Sequence, residues 1–455
     1  MRALLKAVAK VLVVVVAALA LPAAPGAAAV NDLVSTLNAP RTDGVTARPA
    51  PAAYDPAKPT AVVVVGDKGA VVSDALAPYE ILASTGAFNV YTVAPEAHPV
   101  PLTGGLDLVP DFTFAQLERL IGKASDVVVV PAMPDVANPS ADPVAGWLAR
   151  QASAGSLVLT VCNGGAIAAS AGVLDGHRAT AHWLRLDEWA RTYPRVDWVR
   201  GTRYVDDGVV VSTAGILSGV DGTLRVVERL VGAKAAADAA AAIGWPHYHP
   251  GGPAPMQQAR LEPRDAVAAL NTAFRWDRQK VGVLLEDGVG EIELASVFDT
   301  FGQSLAVRTV AVGAGPVHTR HGLTFVPRAG TAAGLDRLVV PGSGSGGAVA
   351  GAAAGAAAEY PHRDGGFPYD GVLRYLARTT DVATADWTAK VLEYPVDGLG
   401  LAGQPWPWDE TLRPVALALV GVLAALGAFA LVRARRRPTP GPAVREREPE
   451  GAGTR

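Results

Sequence analysis

Residues 157–183 read LVLTVCNGGAIAASAGVLDGHRATAHW and contain Cys162, the single cysteine of this 455-residue chain. The apolar run before Cys162 has the length of a buried strand, and the segment after it has helical spacing. Glycines at such a strand-to-helix turn permit a tight backbone and close approach of a ligand. The helix that follows directs N–H groups and a positive partial charge at the sulfur, which favours a reactive thiolate. Cys162 is therefore a candidate nucleophile, with an inert buried thiol as the alternative.

The residues around this turn alternate between strand and helix patterns. Apolar runs of strand length occur at residues 60–67, 88–95 and 126–134, and helical spacing occurs at 74–85 and 144–155. Strands that alternate with helices predict parallel strands joined by crossover helices. Near-continuous valines predict a sheet that is covered on both faces. We therefore expect an α/β fold built on a parallel sheet.

A second α/β pattern begins at residue 280 and echoes the first. Residues 292–299 align with residues 73–80, and the strand ends VVVVPAMPD and RLVVPGSGS also align. An Ala/Gly-rich stretch at 346–360 then stands where a second cysteine strand and helix would lie. We infer an internal duplication whose second copy is degenerate and has no cysteine.

The overall charge and the cysteine count exclude several classes of protein. The formal net charge is −3, so no basic excess points to nucleic acid as a partner. One cysteine excludes an intrachain disulfide and a cysteine-rich metal site, and the eight histidines are scattered. We therefore expect no metal, no cofactor and no nucleic acid. Residues 371–395 have helix-turn-helix spacing but are not notably basic, and we assign them to the end of the second block.

Both ends of the chain carry apolar segments. Residues 1–29 combine a basic start, a short apolar run and small residues, as a secretory signal peptide does, with an uncleaved signal anchor as the alternative. Residues 414–432 are uncharged and long enough to cross a bilayer, and an arginine cluster at 433–437 follows them. The positive-inside rule then predicts a single-pass protein of the cell membrane with an extracytoplasmic body and a cytoplasmic tail.

These segments give the predicted domain boundaries. In chain order they are a signal peptide or anchor at 1–29, a Pro/Ala-rich linker at 30–59, a first α/β domain at 60–244, a linker at 245–279, a degenerate second domain at 280–400, a transmembrane helix at 414–432 and a basic, then disordered tail at 433–455.

Three motifs, in order, resemble the DJ-1/PfpI family of the class I glutamine amidotransferase-like superfamily. They are SDALAPYEIL at 73–82, TVCNGGAIAASAGVLDGHRATAHW at 160–183 and VVVSTAGILSGVDGTLRVVERLVG at 209–232. The resemblance is to the branch that contains isocyanide hydratase and the N-terminal domains of GlxA-like AraC-type regulators. It covers residues 59–244 and, more weakly, 280–395. It implies two flavodoxin-like parallel-sheet sandwiches that pair within the chain as family members pair in dimers, or a homodimer.

The resemblance implies roles for the matching residues. Cys162 would be the nucleophile and Asp74 the acidic residue that contacts it, unless Asp74 is the N-cap of its helix. An ionised Asp74 would raise the thiol pKa, whereas a protonated carboxyl would favour the thiolate. His182 would be a nearby acid or base, or else a structural hydrogen-bonding residue. The candidate oxyanion- and ligand-binding residues are Asn163, Gly164, Ala132, Met133, Gly215 and Ile216.

Two departures from the family pattern bear on the reaction. Pro131-Ala132-Met133 stands where the family has Pro-Gly-Gly, and Asn163 stands where a threonine is usual. One hypothesis is a membrane-anchored enzyme that uses Cys162 in a hydrolase, hydratase or lyase reaction on a small molecule. The second is a non-catalytic module that binds or senses a small molecule, and the third is a surface structural protein whose site has decayed.

Overall fold

The computed structural model describes residues 1–41, 44, 47–134, 143–253, 256–342 and 346–435. The chain divides into two compact units. The first unit contains residues 1–27 and the described C-terminal residues from 411 onward, and we call it the helical unit. The second unit contains residues 28–410, and we call it the body. The predicted tail from residue 436 onward lies outside the described residues.

Strands and helices alternate along most of the body. The strands are β1 (Thr60–Val64), β2 (Asn89–Ala94), β3 (Val100–Leu102), β4 (Leu106–Val109), β5 (Phe112–Thr113), β6 (Val127–Val130), β7 (Leu157–Thr160), β8 (Arg178–Ala179), β9 (Asp197–Trp198), β10 (Tyr204–Asp206), β11 (Val210–Thr213), β12 (Gln279–Leu284), β13 (Val307–Val312), β14 (Val317–His318), β15 (Thr324–Val326), β16 (Arg337–Val339) and β17 (Ala358–Glu359). The helices are α1 (Arg2–Leu37), α2 (Val72–Ser84), α3 (Phe114–Ile121), α4 (Pro143–Ser153), α5 (Gly164–Ser170), α6 (Leu186–Thr192), α7 (Ser218–Leu230), α8 (Ala233–Ala242), α9 (Ala266–Phe274), α10 (Glu291–Ser304), α11 (Gly346–Ala352), α12 (Pro368–Thr379), α13 (Val382–Leu392) and α14 (Trp408–Arg435).

The main sheet lies in the first half of the body and has the strand order β10-β11-β7-β6-β1-β2-β5. Neighbouring strands are parallel except β10 and β11. β1, β6 and β7 are buried at every residue, which confirms the predicted parallel sheet covered on both faces. The strand order reverses between β1 and β6, and ligands of open α/β sheets bind at the carboxyl edge of such a switch point.

The second half of the body contains a parallel sheet of four strands in the order β17-β16-β12-β13. The corresponding strands of the main sheet follow the same order, β7-β6-β1-β2, and α10 follows β12 as α2 follows β1. The expectation for the Ala/Gly-rich stretch needs a correction. It does not replace the strand, because residues 346–360 form α11 and β17, and backbone pairing with β16 holds β17 in place despite its small side chains.

Strand pairing and helix packing both join the halves of the body. β15 pairs antiparallel with β4 in a sheet of the order β14-β15-β4-β3, where Phe325 lies opposite Leu108. Helices α2 and α10 pack together, and their side chains Leu76 and Phe298 are fully buried. One continuous hydrophobic core therefore contains residues of both halves.

Helices α1 and α14 are each long and apolar enough to cross a membrane. α1 continues past the predicted boundary at residue 29 and ends at Leu37, and α14 is longer at both ends than the predicted span 414–432. Within the helical unit, a Cβ on Gly421 would lie 2.3 Å from the carbonyl oxygen of Ala17. A glycine at this point lets the two backbones approach closely, as small residues do between membrane helices.

Candidate active site

Cys162 lies on the turn between β7 and α5, where the sequence predicts a strand-to-helix turn. Its backbone is left-handed, with φ of 57°, which costs a non-glycine residue roughly 1–2 kcal/mol. The next residue but one is Gly164, where a Cβ would lie 2.0 Å from the carbonyl oxygen of Val130. A strained residue on a sharp turn, with glycine where the backbones meet, is the geometry of a nucleophile elbow.

Asp74 lies in the first turn of α2 and is fully buried. Val71 is the N-cap residue of α2, so the N-cap alternative for Asp74 is wrong. Oδ2 of Asp74 accepts a hydrogen bond from the Ala132 N–H at 3.0 Å, while Oδ1 has no hydrogen-bond partner among the described residues. Burial outweighs that hydrogen bond and raises the pKa of Asp74 well above its usual range, with Asp299 and Glu393 acting in the same direction. The raised pKa favours the protonated form of the Asp74 carboxyl.

The thiol of Cys162 is almost completely buried, with 4% of the residue exposed. Burial raises the pKa of Cys162 well above its usual range, and Asp74 in its ionised form raises it further. A hydrogen bond from the Asn163 N–H lowers the pKa, whereas Glu393 and Asp299 raise it. The prediction that the turn favours a thiolate is wrong in this arrangement, because burial and carboxylates outweigh the backbone N–H groups. The resting form of Cys162 is the neutral thiol.

The predicted oxyanion donors differ in what they contact. The Ala132 N–H is already used by Asp74, and the side chains of Ala132 and Met133 are buried. The Asn163 N–H faces the sulfur, and the Asn163 side-chain oxygen accepts a hydrogen bond from Nε1 of Trp189 at 2.9 Å. Asn163 is therefore the predicted donor that the structure brings to the thiol.

His182 is held by backbone groups through both ring nitrogens. Nδ1 accepts a hydrogen bond from the Leu184 N–H at 3.3 Å, so Nε2 carries the proton and donates it to the Val391 carbonyl at 2.9 Å. Because both nitrogens are engaged, this tautomer has no lone pair available to take a proton from Cys162. The geometry favours the structural alternative for His182.

Gly215 and Ile216 lie before α7 and receive a side chain from the second half of the body. Oε2 of Glu393 accepts hydrogen bonds from the Gly215 N–H at 2.5 Å and from the Ser218 hydroxyl at 2.6 Å. A Cβ on Gly215 would lie 2.4 Å from the Glu393 side chain, so the absence of a side chain at residue 215 leaves room for Glu393 in this position. Ile216 is buried beneath the turn. The carboxylate of Glu393 therefore lies beside the elbow, close enough to raise the pKa of Cys162.

Sequence analysis missed three residues of this site: Glu393, Ser218 and Asp299. Ser218 lies inside a quoted motif, but serine at the start of a helix is common and gives no specific signal. The one signal for Glu393 is its place directly after α13, because an acidic residue at a helix C-terminus opposes the helix dipole.

A separate group of ionisable side chains connects α2 with the second half of the body. Ligand-type atoms of Glu80, Glu291 and His321 lie within 4.8 Å of one another. Nδ1 of His321 lies 2.8 Å from Glu291, and Oε1 of Glu80 accepts from Arg320 at 3.2 Å. Burial, and then the charge of Glu291, raise the pKa of Glu80 to about 7. These contacts make the group a network of ion pairs between α2 and the second half of the body.

The fold and the elbow define an α/β protein of the glutamine amidotransferase-like class. Comparison with known sequences gives the family: the model of the DJ-1/PfpI family matches residues 60–229. An isonitrile hydratase from Pseudomonas putida is 33% identical over 162 residues, which cover 35% of this chain and 67% of that protein. The chain belongs to the DJ-1/PfpI family.

Further similarities include a second protein sequence and a crystal structure. An uncharacterised protein from the cpoL 5′ region of Streptomyces lividans is 31% identical over 143 residues, which cover 30% of this chain and 98% of that protein. A crystal structure of a ThiJ/PfpI family protein from Pseudomonas syringae has 25% sequence identity and a TM-score of 0.38, and the match covers 42% of this chain and 77% of that one.

Proposed function

We propose that this protein is a membrane-anchored extracytoplasmic enzyme that uses Cys162 to add to a small electrophilic molecule. The observation that carries the proposal is the carboxyl of Asp74 beside the sulfur. Burial raises the pKa of this carboxyl well above its usual range, which favours the protonated form, and its Oδ1 is unpartnered within the described part of the chain. A buried carboxyl of this kind is suited to act as a general acid.

The proposed reaction is an addition followed by hydration. The sulfur of Cys162 bonds to the electrophilic carbon of the substrate while the Asp74 carboxyl donates its proton to the atom that gains electron density. The thiol proton passes to the Asp74 carboxylate, which restores the acid. Water then adds to the same carbon and releases the thiol. The carbon of an isonitrile is such a centre, and the similarity to an isonitrile hydratase makes isonitriles the first substrates to test.

The test is turnover by the full chain in detergent. We expect conversion of an alkyl isonitrile to the corresponding formamide, followed by NMR, and a fall of at least about a thousandfold in Cys162→Ala. The exposed Glu96→Gln is the matched control and should keep the wild-type rate. Equal rates in the wild type and Cys162→Ala would overturn the proposal.

A second candidate function, ligand binding without turnover, is favoured by Glu393. Its carboxylate occupies the turn at residues 215–218, beside the thiol. A sensing module needs a pocket whose occupant exchanges with a ligand, and a raised thiol pKa is no obstacle to binding. A ligand that raises the melting midpoint equally in the wild type and Cys162→Ala, without being consumed, would favour this function over catalysis.

We also propose that the two halves of the body arose by duplication. Their sheets share a strand order, and their central helices exchange equivalent hydrogen bonds. The carboxylate of Glu80 accepts from the Ile292 N–H at 2.5 Å, and the carboxylate of Asp299 accepts from the Ser73 N–H at 3.4 Å. Glu80 aligns with Asp299, and Ser73 aligns with Ile292, so each helix provides the same acceptor and the same donor to the other helix. Such reciprocity is typical of two-fold interfaces.

The proposed membrane topology rests on α14 and the arginines at its end. A protease added to intact cells should digest the body and leave an epitope tag on the C-terminus protected. Sequencing of the N-terminus of the mature protein then decides between a cleaved signal peptide and a retained anchor. A protected body together with an exposed tag would reverse the orientation.

A further inference from the structure

The turn at residues 215–218 holds a carboxylate that belongs to the protein itself. We propose that this turn is a binding site for the carboxylate group of a small-molecule ligand, which replaces the Glu393 carboxylate when the ligand reaches Cys162. The inference names a ligand class for the proposed Cys162 site, and it rests on that proposed function.

The hydrogen bonding of Glu393 is one-sided. The Gly215 N–H and the Ser218 hydroxyl converge on Oε2, whereas Oε1 is buried with no hydrogen-bond partner among residues that the structure describes. Nη2 of Arg203 is likewise buried and unpartnered within the same set. A buried oxygen without a hydrogen-bond partner costs stability. The turn therefore offers good donors to a carboxylate, but Glu393 leaves part of its own hydrogen-bonding capacity unused.

The backbone of Glu393 is also strained. Its φ is 53°, the left-handed region that favours glycine. The end of α8 adopts the same motif with glycine: Gly244 has φ of 72°, and Trp245 bonds back to Ala240 as Tyr394 bonds back to the equivalent carbonyl of α13. Glycine satisfies this helix end elsewhere in the same chain. A glutamate at the equivalent position therefore points to a role for its side chain at the elbow.

The end of α13 is fixed, which confines any movement to the side chain of Glu393. Carbonyl oxygens of four consecutive residues accept hydrogen bonds from the first half of the body. The pairs are Trp183 Nε1 with Lys390, His182 Nε2 with Val391, the Leu217 N–H with Leu392, and Arg203 Nη1 with Glu393. These bonds cap the carbonyls that a helix end leaves unsatisfied. Replacement of Glu393 by a ligand therefore needs a change of side-chain rotamer and no movement of the helix.

A cavity of about 430 Å³ lies next to this position. Glu393, Arg203, Tyr394 and Lys390 are among its lining residues, so the cavity offers space next to the Glu393 side chain. When the Glu393 side chain moves away, a ligand carboxylate would replace its negative charge at the turn. It would accept hydrogen bonds from the same two donors, the Gly215 N–H and the Ser218 hydroxyl. This match of charge and shape favours a carboxylate over a neutral ligand.

The first test is chemical rescue. Glu393→Gly removes a propionate side chain from a backbone that glycine tolerates, so free propionate has the shape of the missing group. In the full chain in detergent, we expect propionate to raise the melting midpoint of Glu393→Gly by about 2–4 °C. The wild type should not respond, and propionamide should have no effect on either protein. Identical responses of the two proteins to propionate would overturn the inference.

The second test uses the single thiol as a reporter, since alkylation can occur at Cys162 alone among cysteines. Iodoacetate and iodoacetamide both alkylate the thiol with loss of iodide. Iodoacetate carries a carboxylate, whereas iodoacetamide carries a neutral amide in its place. We expect the ratio of the iodoacetate rate to the iodoacetamide rate to be about tenfold higher in Glu393→Gly than in the wild type. Adding Ser218→Ala should reduce the gain, because one donor is lost. Glu393→Gln, which keeps the shape of the side chain, should show a smaller gain.

The outcomes separate this inference from the proposed function. If Glu393→Gly accelerates both reagents equally, the carboxylate site is overturned while a reactive Cys162 is retained. If Cys162 reacts with neither reagent in any of these variants and the wild type shows no turnover, the proposed enzymatic function fails as well.

Discussion

The turn after β7 and the turn after β17 occupy matching places in the two halves of the body, and they contain different chemistry. In the strand register, Val158 of β7 pairs with β6, and Ala358 of β17 pairs with β16, the strand at the matching place in the second sheet. Cys162 and His362 each lie four residues beyond those positions. His362 therefore stands where the first half has its cysteine.

The second turn is closed by its own hydrogen bonds. Nδ1 of His362 accepts from the Gly342 N–H at 2.8 Å, and Nε2 lies 3.0 Å from the Ser296 hydroxyl. Burial lowers the pKa of His362 to about 4, so the ring is neutral. Glu293, the counterpart of Asp74, accepts from the Gly290 N–H at 2.8 Å. The second turn therefore has a neutral, fully bonded ring in place of a thiol.

The two turns also differ in whether their own buried polar atoms have hydrogen-bond partners. Within the described residues, Oδ1 of Asp74 and Oε1 of Glu393 have no hydrogen-bond partner, and both lie at the first turn. Buried polar groups are normally paired because leaving them unpaired costs stability. The ring nitrogens at the second turn follow this rule. The first turn departs from it at two groups, the Asp74 carboxyl beside the thiol and the Glu393 carboxylate from the second half.

The largest expected effect separates the two acids. Asp74→Asn should lower kcat/KM for the isonitrile by about a hundredfold to a thousandfold, because the amide does not supply a proton. Glu293→Gln, at the matching place in the second half, should change the rate by less than about twofold, since no thiol lies beside it. Steady-state kinetics decide this, and equal losses in the two variants would contradict the assignment of the working turn.

A smaller effect concerns backbone packing at the two turns. Gly164→Ala places a Cβ 2.0 Å from the Val130 carbonyl oxygen, and it should lower the free energy of unfolding by about 2–4 kcal/mol. The matching residue of the second turn is the exposed Asp364, where Asp364→Ala should cost less than about 0.5 kcal/mol. Urea titration gives both values. A Gly164→Ala variant as stable as the wild type would show that the turn is looser than described.

The smallest expected effect is a pH dependence of labelling. Burial and neighbouring carboxylates raise the pKa of Cys162, so thiolate forms at higher pH in the folded chain than in the unfolded chain. The rate of reaction with iodoacetamide should therefore rise with pH along a curve displaced to higher pH than that of the urea-unfolded protein. Superimposed curves would contradict the raised pKa.

Local patterns in the sequence predicted the architecture of the first turn. The valine-rich runs, the position of Cys162 after a strand and the glycine at 164 are all encoded by neighbouring residues, and the structure has them where expected. The thiol pKa was predicted in the wrong direction, because its main causes are burial and charges from distant parts of the chain. Glu393 reaches the site only through tertiary packing, which no local pattern records.

The Ala/Gly-rich stretch was interpreted too simply for a similar reason. Its composition is poor in core-forming side chains, and so it predicted the loss of a strand. β17 forms nevertheless, because the edge of β16 supplies backbone hydrogen-bond partners in register. Composition describes the side chains of a segment. It contains no information about a neighbouring strand edge that can pair with the backbone of that segment in the fold.

The elbow and Glu393 belong to a single covalent chain, whose two halves pair through β4 and β15. Two separate subunits would assemble such a site at a rate set by their concentration and lose it on dilution, whereas tethered halves keep a constant effective concentration. A symmetric pair of identical subunits would also carry two copies of the thiol and two copies of any glutamate beside it. Joining the halves gives each molecule a single elbow thiol with a single Glu393 beside it, at any protein concentration.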